Sequence, residues 1–416
     1  MSHSTFRSPW IFTAPVIAIL LGHLIVDTYS SIVAPLIGVI ENEFEMRSEW
    51  AAILLGVGSV VSGLSQPVFA WISDKTGSRI YGAAGIILAG LGIGLIGYSA
   101  NVQMVFLMFS IGMVGVGMFH PIATARIGAI AGDQRGFALS LFFVFGMAGF
   151  FFGSLFGPNL FAYTKTLTSL WYLIFPGLFI AVFLQRTINS PTGEDTFAQA
   201  GQNHKLNEYD WLSIAMLYLS AVFRFFVNMA LIYLLVRWVE NHTALMNPEL
   251  SKKEVATLSA PTAGTANAVM FVGQGVGGLI AGALIRHRHE KLPLILTPLL
   301  FAPFVFLIAK CNPNFYGFAC CFFAGIGFAA MTPITISVGQ QLMPGHTRVA
   351  SGLMLGGAWI FAALGPSVAE YNLKQFGLTT AFMVTAIALT LAGISAIGVR
   401  QFVTHDSNNH SNNPNG

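Results

Sequence analysis

The sequence predicts an all-α integral membrane protein, with twelve transmembrane helices in two six-helix bundles related by a pseudo-twofold, and three observations lead there. The 416 residues are 55% hydrophobic and only 9% charged, whereas soluble domains carry about 25% charged residues, so the bilayer is the expected solvent. Apolar stretches of roughly 20 residues, the length that crosses a hydrocarbon core as a helix, recur along nearly the whole chain. Runs such as 53–70 and 139–156 lack strand-like alternation, which argues against a barrel and leaves helices to satisfy their own backbone in lipid.

The first span, at roughly 10–40, carries Gly22, His23, Asp27 and Pro35; its apolar run is far longer than that of a cleaved leader, so it is expected to be retained. The second, at roughly 50–73, leads into a basic turn, and the third, at roughly 80–100, is rich in Gly, Ile and Leu. Span four, roughly 103–131, holds His120-Pro121; span five, roughly 135–162, a row of glycines; span six, roughly 167–188, ends on Arg186. The polar stretch 189–209, with Pro191, Gly193 and Gly201, reads as a cytoplasmic linker between an N-terminal bundle, 1–188, and a C-terminal bundle, 210–403. Span seven, roughly 210–239, contains Arg224, and span eight, roughly 260–286, contains Asn267 and Gln274. Spans nine to twelve fall at roughly 292–310, 314–343, 347–370 and 378–402. The Asn- and Ser-rich tail, 404–416, has no apolar face to bury and is expected to be disordered.

Basic residues such as Lys75, Arg126, Arg186, Lys205 and Arg400 gather on one side, which predicts an inner-membrane protein with both termini cytoplasmic. The first outer loop is then acidic, with Glu41, Glu43, Glu45 and Glu49. A weak internal repeat pairs Phe119-His120-Pro121-Ile122 with Met331-Thr332-Pro333-Ile334 and Gly157-Pro158 with Gly365-Pro366, as transporters built from repeats show. The net charge of +3 is spread over loops, so no nucleic-acid partner is expected. No nucleophile elbow, metalloprotease helix or phosphate loop occurs, so the chain does not read as an enzyme. Cys311, Cys320 and Cys321 lack zinc-ligand spacing and read as small apolar filler. The cluster Arg286-His287-Arg288-His289-Glu290 reads as a solvated loop, so no metal and no other cofactor is expected beyond the proton gradient as energy source.

The turn Ala70-Trp71-Ile72-Ser73-Asp74-Lys75-Thr76-Gly77-Ser78-Arg79 resembles the signature of the major facilitator superfamily, with Ala70 in place of its first glycine. The resemblance assigns Asp74, Lys75, Gly77 and Arg79 to gating rather than to substrate; a merely basic turn is the plainer alternative. Gly149, Gly153 and Gly157-Pro158 lie four apart on one helix face, where a neighbouring backbone approaches closely. Antiporters of the superfamily show a similar pattern in this helix, although generic small-residue packing accounts for it too. Five segments together resemble the fosmidomycin-resistance group of major facilitator exporters: Gly22-His23 with Asp27 and Pro35, Gln66-Pro67 ahead of Asp74, Phe119-His120-Pro121 with Ala125-Arg126, Arg224, and Gln341-Leu342-Met343-Pro344-Gly345 leading to Ser351-Gly352-Leu353. Ile122 and Met147 stand where that group carries an acid and an Asn, so drug identity and coupling do not carry over.

Ionisable groups inside spans are rare and normally face the interior or a water-filled cavity. His23 and Asp27, one turn apart, are the first proton-coupling candidates, with His120 a third; a fixed structural pair, and a histidine satisfied by its own backbone or by Thr124, are the alternatives. Arg224, with Asn228 on its face, requires an acid, carbonyls or an anionic substrate opposite, and pairing with Asp27 across the halves is one expectation. Gln66, Thr124, Asn267, Gln274 and Gln340 are further substrate-binding candidates, or hydrogen-bonding links between helices. The resulting expectation is a monomeric alternating-access transporter that exports a small drug-like or anionic compound against protons; proton-coupled uptake of an organic acid or sugar is the alternative, and a channel or membrane sensor a minor one.

Overall fold

The computed structural model describes residues 10–76, 80–187, 210–284, 291–329, 332–343, 346, 349–350 and 353–400. Helices build the chain, with no strand among the described residues. Among the described residues, nine helices are long and apolar enough to cross a membrane, and Ile80–Gly94 and Phe315–Phe328 are shorter apolar ones. The eleventh span, built from shorter segments, completes the twelve-helix, two-bundle architecture. The expected linker at 189–209 and the tail at 404–416 lie outside the described residues.

Three spans differ from the hydropathy pattern for local reasons. The first runs as Ala14–Ile32, a tight turn over Ala34–Leu36, then Ile37–Glu43; Pro35 lacks the N–H that would continue the helix. Span eight starts at Lys252 rather than near 260, because Ser251 and Glu254 form a capping box: the Ser251 amide donates to Glu254 Oε2 at 2.8 Å and the Glu254 amide to Ser251 Oγ at 3.3 Å. Its first turn is polar, so hydropathy alone passes over it. Span eleven contains a π turn, Leu353–Gly357, followed by Ala358–Ala362 and Leu364–Phe376; Tyr218 donates to the Gly357 carbonyl at 2.9 Å, satisfying a group that such a turn displaces. At the head of span seven, Asp210 caps Trp211–Met246. The Ser213 amide and hydroxyl both donate to its carboxyl and hold it below the usual carboxylate range.

Among the described residues the halves meet between spans five and eight, between spans two and eleven, and where Gly38 at the end of the first span lies against Glu240 and Ala256. Spans five and eight pack with Phe150 stacked on Phe271 at 4.9 Å and Gly264 against the Ser154 carbonyl and Pro158. Spans two and eleven meet where Gly56 abuts the Ala363 carbonyl. At one end three acids of the N-terminal half meet three bases of the C-terminal half: Glu41 with Arg237, Glu43 with Lys253 at 3.0 Å, and Glu49 with Lys374 at 2.7 Å. The network continues inward, as Arg237 Nε donates to the Tyr233 hydroxyl at 2.9 Å and Tyr233 donates to the buried Glu370 at 2.6 Å. Lys374 stands 3.6 Å from the same Glu370, and its hydrogen bond to Glu49 is the main reason its ammonium holds its proton more tightly than usual.

Candidate functional site

His23 and Asp27 lie one turn apart on the first span, and span four brings His120 to them. His23 Nε2 stands 3.1 Å from Asp27 Oδ2, His120 Nε2 stands 3.3 Å from Asp27 Oδ1, and the two Nε2 atoms are 3.2 Å apart. The other ring nitrogens face backbone carbonyls: His23 Nδ1 lies 2.7 Å from the Phe142 oxygen and His120 Nδ1 lies 2.8 Å from that of Val116. A carbonyl only accepts, so both Nδ1 atoms carry hydrogen and both rings turn Nε2 toward the carboxylate. The Phe142 ring stacks on His23 with centroids 3.6 Å apart. His23 and Asp27 are almost sealed, whereas the His120 side chain keeps 23% of its surface.

Span five seats this group. A Cβ at Gly146 would crowd His23 and Asp27, at Gly149 it would strike the Leu24 carbonyl, at Gly153 the Thr28 carbonyl and Ser31 hydroxyl, and at Gly157 it would come within 2.7 Å of Ile32. The row of small residues thus lets the first span lie directly on the backbone of the fifth, with Pro158 at its end turned to Gly264 of span eight.

A second polar group lies in the C-terminal half. Arg224 is 3% exposed; its guanidinium donates to Thr335 Oγ1 at 3.0 Å and to Ser220 Oγ, and its Nε has no partner among the described residues. Among the described residues no carboxylate stands within ion-pair distance of it. On the next turn, Asn228 Oδ1 accepts from Gln274 Nε2 at 3.2 Å. Asn267, two turns before Gln274 on span eight, donates to the Ala263 carbonyl at 3.1 Å, and its Oδ1 has no partner among the described residues.

The expected Asp27–Arg224 pair does not form in this conformation. Each finds partners nearer in its own half: Asp27 the two histidines, and Arg224 a serine one turn back on its own helix together with Thr335. Thr124 does not serve the His120 ring either; its hydroxyl donates to the His120 and Pro121 carbonyls at 2.9 and 3.0 Å. Gln66 and Gln340 are half-buried in their helices. A Cβ at Gly275 of span eight would meet Met147 at 3.4 Å, and one at Gly82 of span three would meet Ile122 at 3.9 Å. In the expected gating turn, Gly77 and Arg79 lie outside the described residues, as does Met331 of the repeat, while Lys75 sits 4.1 Å over the Trp71 ring. Sequence reasoning passed over Ser220, Thr335, Tyr233 and Glu370; the i, i+4 spacings Ser220–Arg224, Tyr233–Arg237 and Glu370–Lys374 are the signals that mark three of them.

Comparison with known proteins agrees with this architecture. The family model of the Major Facilitator Superfamily matches residues 19–241 and 217–415. An uncharacterized MFS-type transporter, YfnC, of Bacillus subtilis (strain 168) is 22% identical over 404 residues, covering 95% of each chain. The fosmidomycin resistance protein of Escherichia coli (strain K12) is 23% identical over 364 residues, 84% of each chain. Among solved structures, a bacterial homolog of the human lysosomal transporter Spinster, inward-facing and occupied, superposes with a TM-score of 0.68 at 16% identity, covering 93% of this chain and 96% of its own. A D-xylose-proton symporter superposes with a TM-score of 0.69 at 13% identity over 93% of this chain and 97% of its own. At such identities the solved structures show the fold alone.

Proposed function

The chain belongs to the Major Facilitator Superfamily and is a transporter of that family, and on this premise we propose that it exports a small drug-like or anionic compound in exchange for protons. The observation that carries the reading is the split of buried charge: a carboxylate between two imidazoles in one half, and in the other a guanidinium without a carboxylate. Uncompensated ionic groups at membrane depth are costly and mark ion or substrate pathways. Asp27 carries the proton, with His23 holding it and His120, the most exposed of the three, passing it to the cavity. Arg224 draws the substrate's negative group, and the Asn228–Gln274 pair and Asn267 line the space beside it. One charge crossing about 100 mV is worth roughly 2.3 kcal/mol, so each proton sustains close to a fiftyfold gradient.

The transporter works by alternating access in the inner membrane as a monomer, with both termini cytoplasmic. The Glu41–Arg237, Glu43–Lys253 and Glu49–Lys374 pairs then lie on the outer side and must part before that side opens. The similarity to the fosmidomycin resistance protein supports export and supplies a first probe. In everted vesicles holding an acid interior, adding fosmidomycin or another small organic anion should release the stored protons with the wild-type protein and not with Asp27→Asn. Anion movement that ignores the proton gradient would sink the coupling, and movement in the opposite direction would favour uptake.

A further inference from the structure

The His23, Asp27 and His120 geometry has a second consequence. With Nδ1–H of each ring bound to a carbonyl, the neutral rings set two bare Nε2 lone pairs 3.2 Å apart and 3.1 and 3.3 Å from the carboxylate oxygens. Three electron-rich groups at these distances repel one another unless positive charge lies between them. One proton meets that need, and so does one metal ion. Bonds of about 2.0–2.1 Å from a tetrahedral divalent ion to nitrogen and oxygen place neighbouring ligand atoms about 3.3 Å apart; the two Nε2 atoms stand at 3.2 Å, each faces its own carboxylate oxygen at 3.1 or 3.3 Å, and one ligand atom from each of the three residues lies within 4.8 Å of the others.

We propose that His23, Asp27 and His120 form a three-donor site for a first-row divalent transition-metal ion of the Zn2+ class. The Nδ1–H bonds to the Phe142 and Val116 carbonyls are the outer contacts that fix imidazoles in the Nε2-ligating tautomer. Two imidazoles and one carboxylate select Zn2+, Co2+ and their neighbours over Mg2+ and Ca2+, which take six or more oxygen ligands. The fourth position is left to water or to an anion, and an anion also offsets the remaining positive charge. Because metal and proton use the same lone pairs, each displaces the other. That effect on transport rests on the proposed coupling role; binding itself does not.

The test uses untagged full-length protein in detergent, stripped with a chelator and titrated with Co2+, which develops strong visible bands only in a tetrahedral site. The expected result is one Co2+ per chain, displaced by Zn2+, with affinity reduced at least tenfold in Asp27→Asn and in His120→Gln. A variant with Cys311, Cys320 and Cys321 replaced by serine should bind as the wild type does, which separates the site from thiol binding. Zn2+ counterflow in vesicles distinguishes cargo from a blocking ligand, since cargo exchanges across the bilayer and a blocking ligand stops probe-driven proton release. Absence of tetrahedral Co2+ binding, or binding that both variants retain, overturns the proposal. Since binding is read without a gradient, a protein that binds Co2+ at these residues but moves anions independently of pH would refute the coupling reading and leave this site standing.

Discussion

Replacing Gly146 by alanine tests whether the fit of span five against the first span sets the His23–Asp27–His120 geometry. A Cβ there would stand 2.5 Å from His23 Cε1 and 2.7 Å from both His23 Nε2 and Asp27 Oδ2, where ordinary contact begins at 3.4 Å. One side has to yield by about 1 Å, and His23 is backed by the Phe142 ring in a region with little free volume. Overpacking of this kind costs about 1–3 kcal/mol, while alanine in a helix gains up to about 1 kcal/mol over glycine. The net loss, about 0–2 kcal/mol, leaves the bundle folded. A displacement near 1 Å still carries contacts of 3.1–3.3 Å past hydrogen-bonding range. Gly275→Ala is the matched control, because its Cβ meets Met147 at an ordinary 3.4 Å. The expected outcome is a nearly unchanged thermal transition for both variants and loss of probe-driven proton release in Gly146→Ala alone. Gly146→Ala with wild-type proton release would show that the packing of span five does not set the site.

Arg237→Ala removes the base shared by Glu41, Glu240 and Tyr233, and breaking such a buried network costs about 3–5 kcal/mol, a shift of about a hundredfold or more toward opening at that end. Spin labels at the exposed positions Trp50 and Tyr371 should report a longer distance; an unchanged distribution would remove the network from the gate. Arg224→Met, which keeps the bulk and drops the charge, should lower the apparent affinity for a small organic anion at least tenfold without changing elution or thermal transition. Arg224→Lys should recover it only in part, because an ammonium does not reproduce the fork held by Ser220 and Thr335. Wild-type anion transport by Arg224→Met would refute anion recognition in the C-terminal half.

The spans were legible because each must supply its own apolar length. The i, i+4 pair His23–Asp27 was legible for a similar reason, since helix geometry alone puts both on one face. What joins them was not. His120 reaches Asp27 from span four and the glycines of span five press on the first span, and both depend on which helices become neighbours, which no local spacing encodes. The expected Asp27–Arg224 pair is absent from this conformation for the same reason: Ser220, one turn away on the same helix, offers its hydroxyl to Arg224 without any rearrangement. The extension of span eight to Lys252 was hidden behind polar residues, although the Ser251-to-Glu254 capping box marks it.

Span five ties these observations together, because its two sides face different partners. Gly146, Gly149 and Gly153 contact the first span at and beside the buried carboxylate, while Phe143, Met147, Phe150 and Pro158 contact Gly278, Gly275, Phe271 and Gly264 of span eight in the other half. At these glycines span five meets the first span with its backbone, so no flexible side chain of span five absorbs a displacement there. When one half rocks against the other, the sliding surface is the far side of the same helix that closes over Asp27 and His23. A packed element with two arrangements is what energetic coupling between distant sites requires, and here the element that meets the opposite bundle is also the one that sets the room around the proton-bearing group. Filling Gly275 should therefore leave the charge site undisturbed, whereas filling Gly146 acts on it directly.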